Sequence, residues 1–105
     1  MEADSPYTTV VAPRANAQID AALRWWARNR RAAPHLLVRE LEAALDTIEH
    51  VPQAGRRTRS RSFRNVRRLL LRGTSYHLYY QINEARRQVR IVHLRHGSRR
   101  PIAGR

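Results

Sequence analysis

Histidine, arginine and tyrosine are the residue types here that could do chemistry, and their spacing rules out most of it. The five histidines stand at positions 35, 50, 77, 93 and 96, with no HxxxH pair and no cysteine beside them. A metal site is therefore not expected. No Ser/His/acid set can be drawn in the C-terminal half, where Glu84 is the sole acid, and paired-carboxylate chemistry fails there for the same reason. Glycine-rich phosphate loops are absent, with four glycines in all. One chemistry passes this filter. Cleaving RNA needs a group to activate the 2′-hydroxyl, a cation for the phosphorane charge and an acid for the leaving oxygen. Arg67, Arg68, Tyr79, Arg95, His96 and Arg99 are candidates if a sheet gathers them. Against this, arginine stays protonated and makes a poor general base.

The charge distribution is the second functional signal. Residues 1–52 hold six arginines against seven acids, whereas residues 53–105 hold fifteen arginines against Glu84 alone. All 21 basic residues are arginine, giving a net charge of +13. A field concentrated in one half attracts nucleic acid or an acidic protein. The candidate contacts are Arg56, Arg57, Arg59, Arg61, Arg64, Arg67, Arg95, Arg99 and Arg100.

The elements that must position these residues follow from periodicity. Tyr7–Ala12 is rich in β-branched residues and stops at Pro13, which predicts a first strand with a helix behind it. Ile19, Ala22, Leu23 and Trp26 then fall on one helical face, up to about residue 29. Trp25 lies beside that face; the tryptophan pair reads more readily as core than as a base-stacking platform. Pro34 opens a second helix to about His50, with Leu37, Leu41, Ala44, Leu45 and Ile48 on one side. Pro52 ends it. The short link implies an antiparallel helical hairpin that needs a sheet to lie on.

Gln53–Asn65 reads as a basic loop, with Phe63 as an anchor into the core. Three strands follow. Val66–Arg72 alternates imperfectly, and Gly73-Thr74 supplies a turn. Ser75–Ile82 places Tyr76, Leu78, Tyr80 and Ile82 on one face and His77, Tyr79 and Gln81 on the other. Gln88–His96 places Val89, Ile91, His93 and Arg95 on one face, with Arg90, Val92, Leu94 and His96 opposite. The expected fold is α+β: an N-terminal strand and a helical hairpin on a mainly antiparallel four-stranded sheet, β-α-α-β-β-β. It forms one domain over residues 1–105, with 1–6 and 101–105 as loose ends. No apolar run approaches the roughly 18 residues of a membrane span, and the acidic start lacks a signal-peptide layout. A cytoplasmic protein without cofactor, metal, membrane contact or small-molecule ligand is expected.

Four stretches in this order resemble the RelE/ParE superfamily of bacterial type II toxins over about residues 7–100. Ala17–Trp26 is similar to the family's first helix. Glu42–Ile48 followed by Val51-Pro52-Gln53-Ala54-Gly55-Arg56 resembles its helix-two ending and Pro-x-x-Gly-Arg turn. Val66–Leu71 with Tyr76–Tyr80 resembles its paired strands, and Val89–Arg99 its closing strand and His-Gly-x-Arg end. The resemblance implies a toxin neutralised by a cognate antitoxin, and complementary charge favours an acidic one, itself DNA-binding. RelE-like members cleave mRNA on the ribosome, using lysines near the second sheet strand and an aromatic or histidine in the tail. ParE-like members poison DNA gyrase and generally lack that set. This chain has no lysine, and its tail after Arg99 has no Tyr, Phe or His. A ParE-like gyrase inhibitor is therefore expected. The alternatives are a ribosome-dependent mRNA endonuclease using Arg67 or Arg68, Arg95, His96 and Arg99, and a member of the fold that only binds.

Overall fold

Strand β1 (Thr8–Val11) leads into helix α1 (Pro13–Asn29), where Pro13 occupies the first helical turn and so sacrifices no hydrogen bond. Helix α2 (Leu36–His50) follows, and Pro52 begins a short 3₁₀ turn, Pro52–Ala54. Strands β2 (Arg56–Thr58), β3 (Val66–Leu71), β4 (Tyr76–Asn83) and β5 (Gln88–His96) complete the chain. The computed structural model describes residues 5–97. Of the expected loose ends at 1–6 and 101–105, residues 1–4 and 101–105 lie outside the described residues, as do the candidate residues Arg99 and Arg100.

The strands form one sheet in the order β1-β5-β4-β3-β2. Strand β1 joins the edge parallel to β5, which the long chain between them permits, and all other pairs are antiparallel. The α+β class and the element order match the expectation. The strand count does not: the sheet has five strands rather than four. Arg56–Thr58, expected as loop, pairs with Val66–Arg68 as an edge strand. An edge strand with no buried residue carries no alternation to read.

Both helices lie on one sheet face. Ala22, Trp26, Leu37, Leu41, Ala44 and Ile48 form a single core with Leu71, Tyr76, Leu78, Tyr80, Val89, Ile91 and Leu94. Each fully buried aliphatic side chain contributes about 2 kcal/mol. The tryptophans serve this core. Trp26 donates from Nε1 to the Ala33 carbonyl at 2.9 Å, and the Arg30 guanidinium lies 5.0 Å from the Trp25 ring and 5.6 Å from that of Trp26.

A β-bulge decides which residues of β5 reach the other face. Tyr79 pairs with His93 but Tyr80 pairs with Ile91, so Val92 has no opposite residue. Alternation therefore slips by one. Val89 and Ile91 face the helices before the bulge, and Leu94 faces them after it. This corrects the expected strand, which placed His93 and Arg95 with Val89 and Ile91 and grouped Leu94 with Arg90. His93 and Arg95 instead share the open face with Tyr79 and His77, their partners on β4. Beyond the end of β1, helix α1 satisfies the strand: the Leu94 N–H donates to Gln18 Oε1 at 3.0 Å.

Two side-chain nodes fix the turns. The buried Tyr80 hydroxyl donates to the Pro52 carbonyl at 2.7 Å and accepts from the Gly55 N–H at 2.8 Å. Burial pushes the Tyr80 pKa up, outweighing the Gly55 hydrogen bond and the Arg67 charge, so the group stays a phenol able to donate. The Glu40 carboxylate on α2 accepts from the Gly73 N–H at 2.6 Å, the Thr74 N–H at 2.9 Å and the Thr74 hydroxyl at 2.7 Å. Among the described residues, no helix is long and apolar enough to cross a membrane.

Candidate functional site: the open face of the sheet

The sheet face away from the helices is assembled by alternation on β3 and β4 and by the bulge on β5. Arg68 stands opposite Tyr79, Leu70 opposite His77, and His77 opposite Arg95. The segment 59–63 and the start of α1 enclose part of this face. The result is a cleft of about 400 Å³ lined by Arg14, Arg59–Phe63, Tyr79, His93 and Arg95. Phe63 is half-buried at this cleft and lies outside the helix-side core, which corrects its expected role as a core anchor. Val66 and Val92 are buried yet also stand outside that core, so the open face has a small apolar floor of its own.

The rings run across two strands. Tyr79 and His93 meet at 5.4 Å between centroids with a 65° tilt, and His77 lies 6.4 Å from Tyr79. Burial lowers the His77 pKa, and Arg68 and Arg95 lower it further. For His93 burial again comes first, followed by Arg95 and Arg14. Both imidazoles are neutral near pH 7. His77 Nδ1 is buried and has no hydrogen-bond partner among the described residues. Its ring also explains Gly97: a Cβ there would lie 2.8 Å from His77 Nε2. Only a glycine lets the chain pass over that ring.

These two histidines make stability depend on pH. The unfolded chain titrates near the ordinary value of 6.5, and the folded chain at lower pH. As pH falls below 6.5, the unfolded state binds protons first, so stability is full above that value and declines through the folded pKa values. Urea midpoints are expected to fall between neutral pH and about pH 5. The double replacement His77→Asn, His93→Asn should flatten that fall, and an unchanged slope would show the histidines uninvolved.

The sequence-derived candidates separate into groups. Arg68 and Arg95 reach the open face, and Arg59 and Arg61 line the cleft. Arg56 joins Arg68, Arg72, Leu70 and His77 around an adjoining groove of about 330 Å³. Arg57 borders a separate recess with Arg67, Ile82 and Glu84. Arg64 is exposed, and its carbonyl accepts from Gln81 Nε2 at 2.9 Å. Arg67 pairs with Tyr80 on the helix side, and its guanidinium donates to the Gly55 carbonyl at 2.8 Å. His96 is also on the helix side, edge-on to Tyr76 at 4.9 Å. Arg14, Phe63, His77 and His93 join the face without having been singled out as site residues. For His77 the alternation of β4 was a usable signal; for His93 the bulge concealed it, and Arg14 and Phe63 carry none. Among the described residues, no three His, Cys, Asp or Glu side chains converge as metal ligands would.

Residues 10–101 match the family model described as ParE toxin of type II toxin-antitoxin system, parDE. The fold is similar to that of the isolated E. coli RelE toxin, at TM-score 0.62 and 17% identity, covering 90% of this chain and 88% of that one. It is also similar to the toxin–antitoxin complex RelBE2 from Mycobacterium tuberculosis, at TM-score 0.60 and 20% identity, covering 87% and 91%. At these identities the likeness is one of fold. No curated protein gives a significant match.

Proposed function

The chain belongs to the ParE toxin family of type II toxin–antitoxin systems, and from that premise we propose that it arrests growth by inhibiting DNA gyrase. One observation carries the reading within this fold. The residues a nuclease would use are divided between the sheet faces: Arg67 and His96 stand on the helix side, Arg68 and Arg95 on the open side. Arg67 is further tied to the carbonyls of Gln53 and Gly55. The remaining arginines serve better as a docking surface, with Arg56, Arg59, Arg61, Arg68 and Arg95 at its centre. A cognate antitoxin, acidic enough to complement a net charge of +13, holds the toxin inactive in the cytoplasm.

A second reading, ribosome-dependent mRNA cleavage, is favoured by a different observation. Burial, with Arg68 and Arg95 nearby, keeps His77 neutral, which sets a base beside two cations. Induced expression without antitoxin separates the two. Gyrase inhibition predicts a DNA-damage response, cleaved chromosomes and loss of plasmid supercoiling by purified gyrase. Rapid mRNA cutting with intact DNA would overturn it in favour of the second reading.

A further inference from the structure

Docking through arginines makes no use of the two serines set among them. Ser60 and Ser62 alternate with Arg59 and Arg61 between β2 and β3, in a stretch where every residue from 59 to 65 except Phe63 is exposed. The two hydroxyls are not equivalent. Ser60 Oγ accepts from the Ser62 and Phe63 N–H groups, both at 3.1 Å, and so shapes the turn. The Ser62 hydroxyl makes no hydrogen bond among the described residues. Both serines line the cleft, together with Arg14 and Arg95 from α1 and β5. No carboxylate lines it, and among the described residues none lies within ion-pair distance of Arg14, Arg59, Arg61 or Arg95.

Four guanidinium groups around a cleft of about 400 Å³ repel one another and lack a counter-ion from the protein. A phosphate monoester on the loop supplies what is missing: about −1.5 to −2 charges at pH 7 and three strong acceptor oxygens. Those oxygens match the forked donors of arginine. Of the two serines, Ser62 can carry the group without dismantling the turn, whereas a phosphate on Ser60 would disturb its two main-chain bonds. Tyr79 also lines the cleft, but it sits in mid-strand between β3 and β5, where a transferase cannot grip the backbone.

We propose that Ser62 is a phosphorylation site, and that its phosphate draws the segment 59–63 onto Arg14 and Arg95 and closes the cleft. The transfer takes a nucleoside triphosphate and a separate serine kinase whose acceptor groove is acidic, to suit the flanking arginines. Ser62 Oγ attacks the γ-phosphorus and that O–P bond forms. The bond from the γ-phosphorus to the β–γ bridging oxygen breaks, the hydroxyl proton passes to the kinase's base, and the nucleoside diphosphate leaves. Closure covers Tyr79 and His93 and withdraws Arg59, Arg61 and Arg95 from any partner. The inference does not rest on gyrase as the target; it concerns only what shuts the open face.

The full chain, treated with ATP and a serine kinase that prefers basic flanks, tests the site. Mass spectrometry is expected to find phosphate on Ser62 and none on that segment of Ser62→Ala. Titration of His93 by NMR tests the closure. Burial first, then Arg95 and Arg14, hold its pKa down, so a phosphate on those arginines should raise it and a phosphatase should reverse the rise. Equimolar inorganic phosphate should leave it unmoved, because only the tethered group has a high effective concentration. Trypsin cleavage after Arg59 should slow about tenfold in the phosphoprotein, since cutting follows the open population. That slowing should vanish in the double variant Arg14→Gln, Arg95→Gln and persist in Arg86→Gln, an exposed arginine of the β4–β5 turn. Circular dichroism and melting establish that each variant is folded; the His93 titration of the unsubstituted chain decides the question if the double variant is not. Transfer to other hydroxyls alone, an unmoved His93, an equal shift with inorganic phosphate, or equal slowing in the double variant would overturn the proposal.

Discussion

Tyr80→Phe is expected to lower the unfolding free energy by about 2 kcal/mol, although it removes a single oxygen atom. That oxygen is buried and serves two main-chain groups at once, the Pro52 carbonyl and the Gly55 N–H. Phenylalanine would leave both without a partner where water has little access, and desolvation of unpaired groups is the larger part of the cost. Gly55→Ala attacks the same node from the other side. Its Cβ would lie 2.7 Å from Tyr80 Oη and 2.9 Å from Cε1, and the ring, fully buried, has nowhere to move. Overpacking of this kind costs about 1–3 kcal/mol. Because the two changes share one contact, their effects should be less than additive: removing the hydroxyl relieves part of the clash. Urea denaturation of the single and double variants measures this. Strict additivity would mean that the hydroxyl is not what holds Gly55. The node has a functional side, since it fixes the turn from which Arg56, Arg59 and Arg61 depart toward the open face.

Glu40→Ala is expected to cost about 3 kcal/mol, because one carboxylate answers three donors in the β3–β4 turn. Hydrogen bonds to a charged group are stronger than neutral ones, but Glu40 is only partly buried and water replaces some of what is lost. Thr74, 2% exposed, is the donor that water reaches least. Glu40→Gln keeps one good acceptor and should fall between wild type and alanine. Amide exchange at Gly73 and Thr74 reports the local effect directly. If those amides exchange no faster in Glu40→Ala while the midpoint falls, the destabilisation arises elsewhere on α2.

Much of the fold could be read from periodicity. The faces of α1 and α2 follow from apolar spacing: Trp26, Leu37, Leu41, Ala44 and Ile48 are all buried as the 3.6-residue repeat requires. The two faces of β4 follow from strict alternation. The motifs Pro52–Arg56 and His96-Gly97 have physical causes that the fold makes visible, the Tyr80 node at Gly55 and the His77 ring against Gly97. Strand β2 was not legible, because its register comes from β3 and none of its side chains is buried.

The functional face shows the same division. Composition and position along the chain establish that the C-terminal half is strongly basic and that β4 turns His77 and Tyr79 one way and Tyr76 and Tyr80 the other. They also carry the resemblance to the toxin family. Which arginines act together is another matter. Arg67 and Arg68 are neighbours in sequence on opposite faces, and Arg14 meets Arg95 only across the folded cleft. The bulge at Val92 sends His93 and Arg95 to the open face, reversing what uninterrupted alternation predicts. A bulge is a property of pairing between two strands, and a cleft is a property of distant segments packed together. Neither leaves a periodic trace in the residues that form it.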